Sequence, residues 1–215
     1  GSEMCIRDSD YSLIDLLTAI ENKKWCEIDY KIDTNGIAKS IIVYPLEIRI
    51  SSMNGREYLS FYEPFSRSYS NLRLEFIEDI KYIDGGVIKM PGKPEISLAN
   101  EDVIADINNA RSLLKHSWGA STTLKEDGNV KDKAPLYDVN IKIRINPEDK
   151  EYIIKRVKRE QRIGTIVQNN DYIEFKAKVS DYRELRPWIR SFYSRVLEYS
   201  CQNDLEFSVK EDLSK

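Results

Sequence analysis

Between Trp25 and Ile83 four segments alternate apolar and polar residues, and the gaps between them are too short to hold a crossover helix. The segments are Trp25–Ile32, Ser40–Ile50, Arg56–Glu63 and Asn71–Ile83, the last with an expected bend near Glu78. Parallel neighbours need connections of a dozen or more residues, so these strands must run antiparallel. Thr34-Asn35-Gly36 and Asn54-Gly55 are hairpin signals between them. A helix precedes the first strand, Leu13–Lys23, with Leu13, Leu16, Leu17 and Ile20 at helical spacing. A helix followed by closely spaced antiparallel strands predicts a small, highly curved barrel over residues 10–85.

Residues 136–215 carry a different pattern. Val139–Ile145 reads as a strand, and Asn146-Pro147-Glu148-Asp149 then opens a helix with a cap residue, an early proline and early acids. Its basic residues Lys155, Arg156, Lys158 and Arg159 come late, where they complement the helix dipole. Gly164–Gln168 and Tyr172–Val179 form a hairpin. Asp181 with Glu184 is a capping pattern, Pro187 restarts a helix running to Phe192, and Arg195–Tyr199 closes the set. Asn203–Leu213 reads as an amphipathic tail helix. The order βαββαβ predicts a ferredoxin-like sandwich, and the fold class is therefore α+β. Residues 86–135 read as a linker rich in turn formers, holding one helix over 100–116 with Ile104, Ile107, Ala110, Leu113 and Leu114 on one side.

The start of the chain is handled separately. Gly1-Ser2 reads as a protease-cleavage remnant, and Met4–Ser9 as the translation of a transposon end used in sequencing libraries. The expectation is a native sequence starting near Asp10, with an upstream domain missing.

Composition removes whole classes of chemistry. His116 is the single histidine, and Cys5, Cys26 and Cys201 have no short spacing, so neither a multi-histidine metal site nor a CxxC pair can be built. No Gly-rich phosphate loop or nucleophile-elbow string occurs. No catalytic residue, metal or cofactor is expected; His116 reads as a helix-terminal or packed residue. No apolar run approaches the ~18 residues needed to cross a bilayer. A cytoplasmic protein without membrane contact is the expectation.

Charge is unevenly spread: residues 10–85 hold 9 basic and 13 acidic groups, net −4, whereas residues 136–215 hold 16 and 14, net +2. All four arginines of the first block, Arg49, Arg56, Arg67 and Arg73, nevertheless fall within 25 residues, interleaved with aromatics. Alternation puts Arg56, Tyr58, Ser60 and Tyr62 on one face of their strand, with Leu59 and Phe61 opposite. It groups Ile42, Tyr44, Leu46, Ile48 and Ile50 against Glu47 and Arg49, and Leu72, Leu74 and Phe76 against Asn71, Arg73 and Glu75. Guanidinium forks suit phosphate, and aromatic rings offer stacking platforms for bases. Two readings stay open on these residues: an anionic-ligand site, or a half-solvated barrel whose arginines pair with Glu47, Glu57, Glu63 and Glu75. The basic helix Lys155–Arg162 likewise reads as a solvated face or a nucleic-acid contact.

Residues 14–84 resemble the WYL domain. The triplet that names this family stands here as Glu57-Tyr58-Leu59, without its tryptophan. Around it are Ala19-Ile20, Tyr30, Val43-Tyr44-Pro45-Leu46 and Leu72-Arg73-Leu74-Glu75-Phe76-Ile77. Ser117-Trp118-Gly119, Val139–Ile145 and Glu184–Phe192 resemble the family's C-terminal extension. Ser70, Phe76 and Tyr193 depart from the family pattern, and Arg67 is a candidate to replace the basic group absent at Ser70. The resemblance implies an Sm- or SH3-like barrel with a ferredoxin-like extension, in bacterial regulators of transcription, some linked to phage defence or CRISPR. It implies a ligand-sensing module that binds single-stranded nucleic acid or a nucleotide through Arg49, Tyr58, Arg67 and Arg73, with Tyr30, Arg56, Ser60 and Tyr62 nearby. Expected partners are that ligand, a second copy of the chain through residues 136–215, and in some relatives a CRISPR effector. The alternative is a ligand-free dimerisation or protein-interaction module.

Overall fold

A computed structural model describes residues 8–31, 37–51, 54–120 and 136–201, with side chains from residue 13. The hairpin signal Thr34–Gly36 and the tail helix expected over Asn203–Leu213 lie outside the described residues, as do 1–7 of the expected scar and 121–135 of the expected linker. The chain divides into two compact units, the first reaching Ser112 and the second starting at Leu113.

The first unit opens with helix α1 (Asp8–Glu21), which starts inside the segment expected to be a scar and ends two residues before the expected Lys23. Lys23 takes a left-handed φ of 53°, and the Lys24 amide bonds back to the Ala19 carbonyl at 2.9 Å, a closing bond that ends the helix. Strands β1 (Cys26–Tyr30), β2 (Lys39–Ile50), β3 (Glu57–Glu63), β4 (Ser68–Arg73) and β5 (Ile77–Tyr82) follow. The segment read as one bent strand, Asn71–Ile83, is two: a 3₁₀ turn at Leu74–Phe76 separates β4 from β5. This break decides the architecture. The strand order is β4-β3-β2-β1-β5, all antiparallel, so the two strands at the ends of the sheet are joined by three residues. Such a sheet must curl upon itself, as the expected barrel requires.

The barrel core is Leu16, Ala19, Cys26, Ile28, Val43, Leu59 and Phe61, with Ile48, Leu72 and Leu74 packed against it. Burial raises the Cys26 thiol to about 12, so it is an inert core group at neutral pH. The face assignment of β2 needs correcting. Pro45 pairs with Phe61 but Glu47 with Ser60, so Leu46 is an extra residue in a β-bulge. The bulge inverts the alternation: Val43 and Ile48 share the core face, while Tyr44, Glu47 and Arg49 share the other.

A two-stranded ribbon, β6 (Val87–Ile88) and β7 (Ile96–Ser97), leads into helix α2 (Glu101–Leu114). Its buried residues are Val103, Asp106, Ile107, Ala110 and Leu114. Ile104, expected on that side, is instead 47% exposed, because the apolar stripe begins one residue earlier at Val103.

The second unit contains β8 (Tyr137–Arg144), α3 (Lys150–Glu160), β9 (Thr165–Gln168), β10 (Tyr172–Val179), α4 (Arg186–Arg190) and β11 (Val196–Cys201). A 3₁₀ turn, Tyr182–Leu185, precedes α4, and the Asp181 side chain caps it by accepting from the Arg183 amide. The antiparallel order β11-β8-β10-β9 places the unit's first and last described strands side by side, the ferredoxin-like arrangement. One face packs Val139, Ile141, Ile143, Ile173, Phe175 and Val179 against Ile153 and Val157 of α3 and Trp188 and Ile189 of α4. His116 serves the sheet: its carbonyl accepts from the Ser180 amide at 2.8 Å and its Nδ1 lies 3.2 Å from the Lys178 carbonyl. His116 is half-buried and stands two residues past the end of α2. Among the described residues no helix is long and apolar enough to cross a membrane.

Candidate functional site

The face of β2, β3 and β4 turned away from the barrel core carries three cross-strand rows. Tyr44, Tyr62 and Tyr69 form the first, Glu47, Ser60 and Asn71 the second, and Arg49, Tyr58 and Arg73 the third. The Leu46 bulge creates the third row. Without it Arg49 would share a face with Val43 and point at the core.

The tyrosine row is covered. Tyr62 Oη donates to Asp106 of α2 at 3.0 Å, and Arg111 of α2 donates to Tyr44 Oη at 2.8 Å while lying over the Tyr44 ring. Trp25 meets both rings edge-on. Burial and the Asp106 carboxylate drive the Tyr62 phenol well above its ordinary range, and burial raises Tyr69 to about 12. Ser60, in the middle row, is fully buried.

The arginine row is half-exposed. Arg49 pairs with Glu47 two residues earlier on its own strand. Arg73 pairs with Glu75 at 3.2 Å, and its guanidinium lies 5.1 Å from the centre of the Phe76 ring. Arg56 reaches the same Glu75 at 3.8 Å. Phe76 was grouped with Leu72 and Leu74 on the core side; the 3₁₀ turn breaks the alternation and brings it to Arg73 instead. Asn54 Nδ2 donates to Tyr58 Oη at 3.2 Å. That bond, with the Arg73 guanidinium, lowers the Tyr58 phenol from its ordinary value. Tyr58 in turn is the largest influence holding the Arg73 charge. On alkaline titration, tyrosinate absorbance should begin to rise below the ordinary phenol range, and Tyr58→Phe should remove that early portion. An unchanged curve in the variant would show that Asn54 and Arg73 do not lower the Tyr58 phenol.

The sequence-derived set thus divides. Arg49, Tyr58 and Arg73 are lateral neighbours, with Arg56 beside them through Glu75. Tyr62 and Ser60 share their face but lie buried beyond the row. Arg67 is committed elsewhere: its Nε bonds to Asp106 at 2.7 Å and its terminal nitrogen lies 3.6 Å from Asp102. It therefore does not stand in for a basic group at Ser70. Tyr30 pairs with Lys39 at the start of β2, whereas Arg49 lies ten residues further along that strand. Of the carboxylates named in the alternative reading, Glu47 and Glu75 do pair with the arginines. Glu63 instead accepts from the amides of Phe65 and Ser66 and orders the β3–β4 turn.

Sequence reasoning missed Phe76, Asn54 and Asp106. Asp106 was the readable one, an acid three residues after Val103 and next to Ile107 in the apolar stripe of α2. What the arrangement offers chemically is two or three planar cations, a phenol and a ring edge on one half-exposed patch. It contains donors for phosphate oxygens and stacking area, and no histidine.

No family model matches the chain, and no curated protein matches it. Among solved structures it is similar to proteasome accessory factor B/C (PafBC) of Arthrobacter aurescens, at 10% identity over 97% of this chain and 26% of that one, with a TM-score of 0.34. The chain spans about a quarter of that protein's length. A likeness this distant carries no weight for function, which rests on the geometry above.

Proposed function

We propose that the chain is a ligand-sensing regulatory module, non-enzymatic, whose barrel binds the phosphates of single-stranded nucleic acid or a nucleotide along the Arg49–Tyr58–Arg73 row. The single observation that carries this reading is the register of those three residues on adjacent strands, with Phe76 stacked beside the last. The resemblance to WYL regulators agrees with it, and in that setting the binding state would control transcription or a phage-defence or CRISPR system. Cytoplasmic residence belongs to the same proposal. The net −4 of the first block gives no long-range attraction for a duplex, so unpaired bases beside a few phosphates suit the row better.

Arg73→Ala should weaken binding of a fluorescent single-stranded oligonucleotide by about tenfold, the loss of one charge-assisted contact. The melting temperature should hardly move, because an exposed Arg–Glu pair contributes little. With about three phosphate contacts the log-log salt slope should be ~2. Anisotropy at several salt concentrations checks both. Retained binding together with lost stability would make Arg73 a structural ion-pair residue. That outcome favours the ligand-free interaction module, for which the existing Arg49–Glu47 and Arg73–Glu75 pairs speak.

A homodimer through residues 136–215 is part of the same proposal. Strand β11 is an edge of its sheet, and Leu197, exposed at a bulge there, offers an apolar contact. Light scattering of the full chain should report a dimer that Leu197→Lys dissociates. A monomeric unsubstituted chain would refute it.

A further inference from the structure

The connection between β2 and β3 carries Asn54-Gly55, and the phosphate-binding reading makes no use of the reactivity of that pair. Asparagine is a chemically labile residue. Its side-chain carbonyl is open to attack by the backbone nitrogen of the next residue, which closes a cyclic imide. The attack is intramolecular, so the reacting groups are held together in advance. Glycine in second place leaves that nitrogen least obstructed, because it has no Cβ. Asn54 and Gly55 are both exposed, and a Cβ built at Gly55 would meet nothing within 4 Å.

Three contacts surround the reacting atoms. The Arg56 amide donates to Asn54 Oδ1 at 3.0 Å, the oxygen on which negative charge develops during attack. Asn54 Nδ2, the leaving nitrogen, touches Tyr58 Oη at 3.2 Å. A phenol at that distance can hand the nitrogen a proton as it departs, and this one is lowered from its ordinary value. The third contact is a restraint. The Gly55 amide donates to the Ser51 carbonyl at 3.0 Å and must give up that bond before its nitrogen attacks. Gly55 is exposed, so water reaches the proton that has to leave.

We propose that Asn54 is a self-modifying site, converted in the folded chain to aspartate and isoaspartate with release of ammonia, and that the conversion weakens anion binding at the arginine row. Gly55 N bonds to Asn54 Cγ and loses its proton to water, while the Cγ–Nδ2 bond breaks and the nitrogen leaves as ammonia. Water then adds to one of the two imide carbonyls. Opening at Cγ gives aspartate, and opening at the main-chain carbonyl gives isoaspartate. An amide and a water become a carboxylate and an ammonium, with no change of oxidation state. In the aspartate form a carboxylate replaces the amide that now meets Tyr58, the middle member of the Arg49–Tyr58–Arg73 row. A donor is lost and an anion is gained beside the groups that would receive phosphate. The effect on binding rests on the phosphate-binding reading of the row; the conversion itself does not.

Incubation of the full chain at neutral pH, followed by trypsin digestion and mass spectrometry, tests the conversion. Cleavage after Arg49 and Arg56 isolates residues 50–56, in which Asn54 is the only side-chain amide. The acid form of that peptide should accumulate as a mixture of aspartate and isoaspartate, the signature of an imide. Tyr58→Phe should slow its formation about tenfold. Once converted, the unsubstituted chain should bind a fluorescent single-stranded oligonucleotide about threefold more weakly than when fresh. Asn54→Gln, which does not close the imide on this timescale, should bind alike before and after incubation. A peptide 50–56 that keeps its amide, aspartate without isoaspartate, or an unslowed Tyr58→Phe chain would each overturn the self-modifying site. Equal binding by fresh and converted chains, or the same loss in Asn54→Gln, would overturn the effect on the row. No binding by the fresh chain would refute the phosphate-binding reading and that effect with it, while the peptide measurement still decides the conversion.

Discussion

Replacing Gly164 with alanine should cost the second unit about 3 kcal/mol, a large part of a typical domain's stability. A Cβ built at Gly164 would stand 2.5 Å from the Lys176 carbonyl oxygen, 2.8 Å from the Ala177 Cβ and 3.1 Å from a Phe175 ring carbon. The nearest of these is backbone, not the end of a flexible side chain, and Lys176 is held by pairing with both Asn140 and Thr165. Gly164 cannot withdraw either, because the next residue, Thr165, is itself the partner of Lys176. Its φ of 94° adds conformational strain for any L side chain, on the order of 1–2 kcal/mol. Urea unfolding should show the loss, and hydrogen exchange should place it in β9 and β10 while β1–β5 keep their protection. A Gly164→Ala chain within about 0.5 kcal/mol of the original would mean that the α3–β9 connection relaxes at no cost.

The parts of this fold that were legible in the sequence are those governed by repetition. The βαββαβ order and the antiparallel first sheet follow from apolar periodicity, which survives small errors in strand ends. What escaped was governed by single-residue irregularities. One extra residue at Leu46 inverted the faces of β2, and one 3₁₀ turn at Leu74–Phe76 divided a strand and moved Phe76 from the expected core side to Arg73. Neither changes composition, and a period-two reading carries the wrong face past each of them.

The candidate site shows the same division. Tyr58, Ser60 and Tyr62 were correctly grouped because β3 is regular. Arg49 and Arg73 joined Tyr58 because both stand next to it in register, a relation between strands that alternation within one strand cannot supply. Arg67 departs from the others because it lies in the β3–β4 turn at a left-handed φ of 51°, and α2 supplies its carboxylate partners from over thirty residues away. Proximity in sequence among the four arginines therefore did not translate into a single patch.

Asp106→Ala should cost the first unit about 2–4 kcal/mol, the range for breaking a buried, charge-assisted pair by removing one partner. Asp106 is only 3% exposed, and one of its oxygens, Oδ2, accepts from both Tyr62 Oη and Arg67 Nε. Its loss leaves the fully buried Tyr62 hydroxyl without the carboxylate it donates to. The Arg67 guanidinium loses the carboxylate that most raises its pKa and keeps only the exposed Asp102 nearby. Tyr62→Phe removes donor and hydroxyl together and should cost about 1 kcal/mol. Once Tyr62 is phenylalanine, Asp106→Ala should cost less than before, because the two changes act on one interaction. A double-mutant cycle by urea unfolding measures that difference. Additive costs would show that the Tyr62–Asp106 bond does not fasten α2, leaving the Arg111–Tyr44 contact in place. A coupling of about 1 kcal/mol would make the Tyr62–Asp106–Arg67 network the fastening of α2 to the barrel.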